Sequence, residues 1–305
     1  FIYVDAQSEA TLFKLTINLF GGYLTMAEKR VYFFGDGKAE GSAKMKQLLG
    51  GKGANLHEMS SIGVPVPPGF TITTETCNEY FENNNTYPEG LETEVTEHLE
   101  RLEKLMGKKL GDAKDPLLVS VRSGAAESLP GMMDTVLNLG MNDGAVKGLA
   151  EVSGNERFAW DAYRRFIQMF SDVVKGTSIE PYEHALEAAK KAKGVEEDTD
   201  LDTSDLAKLT EEYKKIYKNA TGEDFPQDPV KQMWDAIGAV FGSWNNPKAV
   251  TYRRINDIKG LLGTAVNIVS MVYGNLGDDS GTGVCFSRDP STGEKVFYGE
   301  YLMNA

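Results

Sequence analysis

Two short stretches carry residues whose types and spacing could handle a phosphate group. In Gly50-Gly51-Lys52-Gly53-Ala54-Asn55 the glycines allow close backbone approach to a ligand, and Lys52 can face an anion. The cluster is not a Walker A loop, because the spacing and the Lys-Ser/Thr ending are missing, and a simple turn accounts for the same glycines. Arg122 stands at the end of the apolar run Leu117-Leu118-Val119-Ser120-Val121 and before Ser123-Gly124-Ala125-Ala126. A planar guanidinium so placed can meet polyphosphate oxygens with little side-chain entropy left to lose, or remain an ordinary surface charge.

Both stretches need rigid elements to hold them. Val31-Tyr32-Phe33-Phe34-Gly35 reads as a short buried strand, Lys46-Gln47-Leu48-Leu49 leads into the glycines, and a helix is expected over 55–62. Residues 64–70 are too rich in proline for a helix, whereas Phe70-Thr71-Ile72-Thr73-Thr74 has the β-branched content of a strand. The apolar run 117–121 has strand length and delivers Arg122-Ser123-Gly124 to a second loop. Helical spacing of apolar residues predicts an amphipathic helix over 91–105, with His98 at its surface.

Charged, periodic segments follow at 158–174, 182–193 and 204–219, the last with Thr203 as N-cap and Gly222 beyond its end. They form a helical insert, in which 194–202 is an exposed acidic loop rather than a metal site. Strand character returns at 264–273, 283–287 and 295–298. The expected fold class is α+β. Its first part covers 26–141, the helical insert 142–229 and the second part 230–305.

Composition narrows the function. A net charge of −13 would repel a nucleic-acid backbone, which binders neutralise with clustered Lys and Arg, so nucleic acid is not an expected partner. Overall charge leaves a phosphate ligand open, because local N–H groups and a few cations can bind an anion in an acidic protein. Cys77 and Cys285 are the only cysteines, which argues against a disulfide framework or a cysteine-rich metal site and suits a reducing compartment. No run reaches the roughly 20 apolar residues of a spanning helix, so no membrane is expected either. Residues 1–25 have neither transit-peptide nor secretory character. Met26-Ala-Glu-Lys-Arg reads as a start, leaving 1–25 as a tag, translated upstream sequence or a real extension.

Arg122 belongs to a longer string, Ser120-Val121-Arg122-Ser123-Gly124-Ala125-Ala126-Glu127-Ser128-Leu129-Pro130-Gly131-Met132-Met133-Asp134-Thr135-Val136-Leu137-Asn138-Leu139-Gly140. It resembles the signature of the pyruvate, phosphate dikinases. The segments 48–56 and 66–74, Phe225-Pro226-Gln227-Asp228-Pro229 and Gly263-Thr264-Ala265-Val266-Asn267-Ile268 match the same family in order. The resemblance covers essentially 29–305. Pyruvate, water dikinases have counterparts of the lysine and arginine motifs, but Pro130-Gly131-Met132-Met133-Asp134-Thr135-Val136 is similar only to the phosphate-using enzymes.

The resemblance implies an ATP-grasp-like nucleotide-binding fold with a mainly helical inserted subdomain. Gly50, Gly51, Lys52, Gly53 and Arg122 would face the ATP phosphates, Met271 and Val272 with Tyr273 would border the adenine, and Glu300 would hold Mg2+. Cations offset charge on a transferring phosphoryl group, an apolar hinge accepts a flat base, and a carboxylate suits a hard divalent ion. Plain packing accounts equally for Met271 and Val272, and a solvent-facing strand position for Glu300. Thr135, Asn138 and Asp134 would line the phosphate end or stabilise a turn. Gly281-Thr282-Gly283 would join two strands, with Arg288 a further candidate.

There are departures from the family. Val269 stands where its members usually have glutamine. Members continue past Asn304-Ala305 into a Gln-Gly-Glu run and an arginine, so the resemblance implies a nucleotide domain that ends before part of its phosphate and magnesium site. The phosphohistidine motif is missing, and His57, His98 and His184 lie in helical, charged contexts, unsuited to carrying a phosphoryl group.

The family reaction converts ATP, pyruvate and phosphate to AMP, phosphoenolpyruvate and diphosphate. On that reading the partners are ATP and the phosphohistidine and pyruvate domains of the same enzyme. The full enzyme would be a homodimer in cytoplasm, plastid or another organelle, and this chain alone a monomer. The alternatives are a pyruvate, water dikinase relative or a non-catalytic nucleotide-binding module.

Overall fold

A computed structural model describes residues 29–131 and 134–305, together with the backbone of a small antiparallel pair, β1 (Asn18–Leu19) and β2 (Gly22–Tyr23). The expectation for 1–25, that pair apart, and the roles of Met132 and Met133 lie outside the described residues.

The chain then runs β3 (Val31–Gly35), β4 (Lys38–Ala39), α1 (Lys46–Ser61), β5 (Gly69–Ile72), α2 (Thr74–Glu82) and α3 (Leu91–Met106). A short parallel pair, β6 (Lys109–Leu110) and β7 (Pro116–Leu117), precedes β8 (Val119–Gly124) and β9 (Thr135–Leu139). Helices α4 (Ala145–Ser153), α5 (Glu156–Val173), α6 (Glu180–Lys193), α7 (Thr203–Thr221), α8 (Pro229–Ser243) and α9 (Pro247–Ile255) follow. The last strands are β10 (Ala265–Ser270), β11 (Gly281–Phe286) and β12 (Tyr298–Met303). This is an α+β chain.

Six strands form one antiparallel sheet in the order β4-β3-β5-β10-β8-β9. β10 is buried throughout, as its central place between β5 and β8 requires. Side chains alternate along a strand, and paired residues share a face. Val31, Phe33, Phe70, Ile72, Val121, Val266 and Ile268 therefore point one way, into the main apolar core shared with α3, α5 and α8. The opposite face presents a cross-strand row, Tyr32, Thr71, Asn267, Arg122 and Thr135, one residue from each of β3, β5, β10, β8 and β9. Helix α1 lies over that face.

The glycine cluster is not a free loop. Helix α1 runs through it, broken only at Gly50, whose φ of 69° and ψ of 167° are outside helical space, and helical geometry resumes four residues before the expected Asn55. Helix α2 was not foreseen. It starts because the Thr73 hydroxyl accepts from the Thr76 N–H. The N-cap of α7 is Asp202, not Thr203: its carboxylate accepts from the Asp205 N–H, and Asp205 reciprocates in a capping box, with Gly222 left-handed at the other end. Two of the five acids of 194–202 are paired, Asp198 with Arg164 at 3.1 Å and Asp202 with Lys193 at 2.7 Å.

His98 is not a surface residue. It lies three positions past Val95, at the edge of the buried stripe of α3, and its ring is 6.0 Å from that of Phe70 and 6.4 Å from Phe33. Phe225 anchors the helical segment, with ring centroids 5.2 to 6.2 Å from Tyr217, Phe166, Phe170 and Tyr163. Each such pair contributes about 0.5–1.5 kcal/mol beyond its buried area. The final expected strand lies at Tyr298–Met303 rather than 295–298. It pairs with β11 in a separate two-stranded sheet whose residues are all exposed, and Gly281-Thr282-Gly283 is part of β11, not a turn. Arg288 sits in the connection between them, donating to the Gly293 carbonyl.

His57 is fully buried on α1, edge-on to Phe34, with Nδ1 accepting from the Gly41 N–H. Burial pushes its pKa down to about 4. Between pH 4 and 6.5 the unfolded chain therefore binds a proton that the folded chain does not, so stability falls as pH falls through that window. The expected loss is about 3 kcal/mol. Urea unfolding at pH 7 and pH 4.5 checks it: the drop should shrink in His57→Phe, and an unchanged drop would show that other groups cause it.

Candidate phosphate-binding site

The break at Gly50 turns α1 toward the end of β8. An alanine Cβ at Gly50 would stand 1.7 Å from the Gly124 carbonyl oxygen, so only glycine permits this approach. The Gly51 N–H donates to the Ala125 carbonyl at 2.9 Å and ties the helix to the loop after β8. Gly53 and Gly124 both leave room for the buried Asn267 side chain: a Cβ on either would come within 2.7 Å of its amide. The glycines thus serve the close packing of α1 on the sheet.

Asn267 is the residue that sequence reasoning missed as an individual. Its Oδ1 accepts from the Thr71 hydroxyl at 2.9 Å and its Nδ2 donates to the Arg122 carbonyl at 3.5 Å, so it clamps three strands. A polar residue in the middle of Ala265-Val266-Asn267-Ile268-Val269 was the available signal. Val269, two residues on and on the same face, is buried and contributes no polar side chain there. Thr264 completes the support, its hydroxyl accepting from the Gly124 N–H at 3.1 Å.

Lys52 and Arg122 come together over this platform. The Lys52 ammonium donates to the Ser123 carbonyl at 3.1 Å, and burial, then the neighbouring Arg122 charge, holds it below its ordinary pKa. Among the described residues neither cation has an ion-pair partner. Thr135 is the direct cross-strand neighbour of Arg122. A cavity of about 470 Å³ opens beside them, lined by Lys46, Gly51, Lys52 and Asn55 of α1 and by residues 123–131. Arg122 is exposed and stands outside that lining. Two adjacent, uncompensated cations beside an open cavity can hold a polyanion, which would relieve their mutual repulsion.

Of the other expected site residues, Asn138, Met271, Val272 and Glu300 lie outside the lining of this cavity, and Asp134 adjoins it through its main chain. Asn138, left-handed at φ 58°, donates to the Ala162 carbonyl at 3.4 Å and so braces α5. The Asp134 carbonyl accepts from the Ser123 N–H, and burial, then Asp172, holds its carboxyl above the usual range. Met271 follows β10 half-buried against the main core, its N–H bonded to the Leu118 carbonyl. It is four residues beyond Asn267, or about 13 Å along the strand direction. Val272 is 72% exposed, so packing does not explain it. Glu300 lies on β12 opposite Val284, exposed, and among the described residues nothing joins it to Lys52 or Arg122. Cys77 is buried, its thiol pushed up to about 12 by burial, and is no nucleophile. No described helix is long and apolar enough to cross a membrane.

Comparison with known proteins adds a second line of evidence. The family described as pyruvate phosphate dikinase, AMP/ATP-binding domain, matches residues 46–103 and 85–305. The chloroplastic pyruvate, phosphate dikinase of Flaveria trinervia is 58% identical over 282 residues, 92% of this chain and 30% of that protein. The pyruvate, phosphate dikinase of Clostridium symbiosum is 57% identical over 267 residues, 87% of this chain and 30% of its own length. Pyruvate, phosphate dikinase 2 of Zea mays is 56% identical over 279 residues, 92% of this chain and 32% of that protein. The chain thus spans about 30% of the length of these relatives.

Proposed function

The chain belongs to the pyruvate phosphate dikinase AMP/ATP-binding domain family, and from that premise we propose that it binds ATP with the phosphate chain between α1 and the end of β8. The observation that carries this reading is the juxtaposition of Lys52 and Arg122, two neighbouring cations without ion-pair partners among the described residues, in a chain of net charge −13. An ATP-grasp-like fold is part of the same reading, supported by the antiparallel sheet, the glycine break and the cation pair.

Within that site Lys52 and Arg122 offset charge on the phosphoryl group as it transfers, and Thr135 orients the Arg122 side of the cleft. The glycines hold these groups in register on α1 and the sheet. Met271 and Val272 border the base, further along the strand direction than the phosphates. A magnesium ion accompanying the nucleotide would supply Lewis-acid charge at the phosphates. Glu300 suits it as a ligand, since its carboxylate is exposed and makes no ion pair among the described residues. These contain no group of three or more possible metal ligands, so phosphate and water oxygens would complete the shell.

The whole reaction proposed is that of a pyruvate, phosphate dikinase, ATP, pyruvate and phosphate giving AMP, phosphoenolpyruvate and diphosphate, in cytosol or plastid. This chain would contribute the ATP step, and phosphohistidine and pyruvate domains the rest. A chimera tests it, with residues 46–305 replacing the matching segment of the Clostridium symbiosum relative. It should form phosphoenolpyruvate from ATP only when phosphate is present. Phosphate-independent formation would favour a water-using dikinase, and a folded chimera without turnover a non-catalytic module.

A further inference from the structure

Lys46 opens α1 and lines the same cavity as Lys52, but unlike Lys52 it has a partner: its ammonium is 3.3 Å from the Glu127 carboxylate, carried by the loop after β8. Glu127 is the one carboxylate among the residues lining that cavity. Both side chains are about half exposed, 49% and 55%, so the pair is weakly held and readily exchanged. Nothing in the packing requires it, because the loop is already tied to α1 through the Gly51 N–H and the Ala125 carbonyl.

We infer that Lys46 is a third phosphate-binding cation of this site and that Glu127 occupies it in the free protein, in the place an incoming phosphate takes. The inference rests on the phosphate-site reading above. As a phosphate chain enters, Lys46 exchanges the Glu127 carboxylate for a phosphate oxygen, and Glu127, repelled by the same anion, swings out to solvent. Its charge lowers affinity in two ways, by competing for Lys46 and by opposing the ligand directly. The pair therefore sets how tightly the site holds phosphate, with no part in the chemistry.

The two partners then have opposite effects, which a merely structural ion pair would not. Removing Glu127 as Glu127→Gln should tighten binding of inorganic tripolyphosphate and of a non-hydrolysable ATP analogue by roughly two- to fivefold, and Lys46→Met should weaken it by a similar factor. In the double variant the gain from Glu127→Gln should shrink, because its competitor for Lys46 is gone. Adenosine, which has no phosphate, should bind all variants alike. Fluorescence or calorimetric titration of the 305-residue chain reads each arm, and a rise in salt should narrow the differences. If Lys52→Ala weakens tripolyphosphate binding while Lys46→Met and Glu127→Gln leave it unchanged, the phosphate site stands and this inference fails. If both Lys46→Met and Glu127→Gln weaken it, the pair is only a brace for the loop. If the parent chain binds neither phosphate ligand, the site reading itself fails and takes the inference with it.

Discussion

Replacing Gly50 with alanine should destabilise the fold by about 4 kcal/mol, combining a backbone conformation nearly confined to glycine with a steric clash. At φ 69° and ψ 167° an L-residue is strained, and its Cβ would stand 1.7 Å from the Gly124 carbonyl oxygen, a backbone atom held by the pairing of β8 with β10. Relief would require α1 to lift from the sheet, breaking the Gly51 to Ala125 hydrogen bond and disturbing Asn267. Gly51→Ala is the contrast. Its Cβ would meet nothing nearer than 3.5 Å, and alanine favours helix over glycine, so a change within about 1 kcal/mol is expected. Urea unfolding of the two variants separates the cases. Equal midpoints would mean that Gly50 is not locked against β8.

Much of this framework was legible in the residues. Apolar runs marked β3, β8 and β10, the helical spacing marked α3 and α5 to α7, and the β8 run delivered Arg122 to the row where the structure has it. The glycine cluster was legible as special but not in its role: a sequence cannot say whether a glycine yields space to a ligand or to a neighbouring strand, and Gly50 and Gly53 yield it to Gly124 and Asn267. Asn267 escaped notice because its partners, Thr71 and Arg122, lie 196 and 145 residues away. Phe225-Pro226-Gln227-Asp228-Pro229 matched the family yet is structural: Phe225 fills an aromatic cluster, Gln227 bonds the Tyr163 hydroxyl, and Asp228 caps α8. Asp and Thr both suit an N-cap, so residue type alone does not separate Asp202 from Thr203, and the reciprocal bond with Asp205 decides for Asp202.

The second large effect is on binding. Lys52→Ala should weaken a magnesium-bound ATP analogue by roughly 10- to 100-fold, the range for losing a charge-assisted hydrogen bond in a half-buried site. Its stability should barely change, since among the described residues the ammonium bonds only the Ser123 carbonyl and is opposed by Arg122. Arg122→Ala should act similarly on affinity. Arg122→Lys should not restore it fully, because an ammonium lacks the planar fork that meets two phosphate oxygens at once.

Calorimetric titration of the parent chain and Lys52→Ala with magnesium and a non-hydrolysable ATP analogue tests the site most directly, with unfolding midpoints measured alongside. The expected result is binding by the parent and a 10- to 100-fold loss in the variant at unchanged midpoint. Equal affinity in two folded proteins would contradict the placement of the phosphates between α1 and β8.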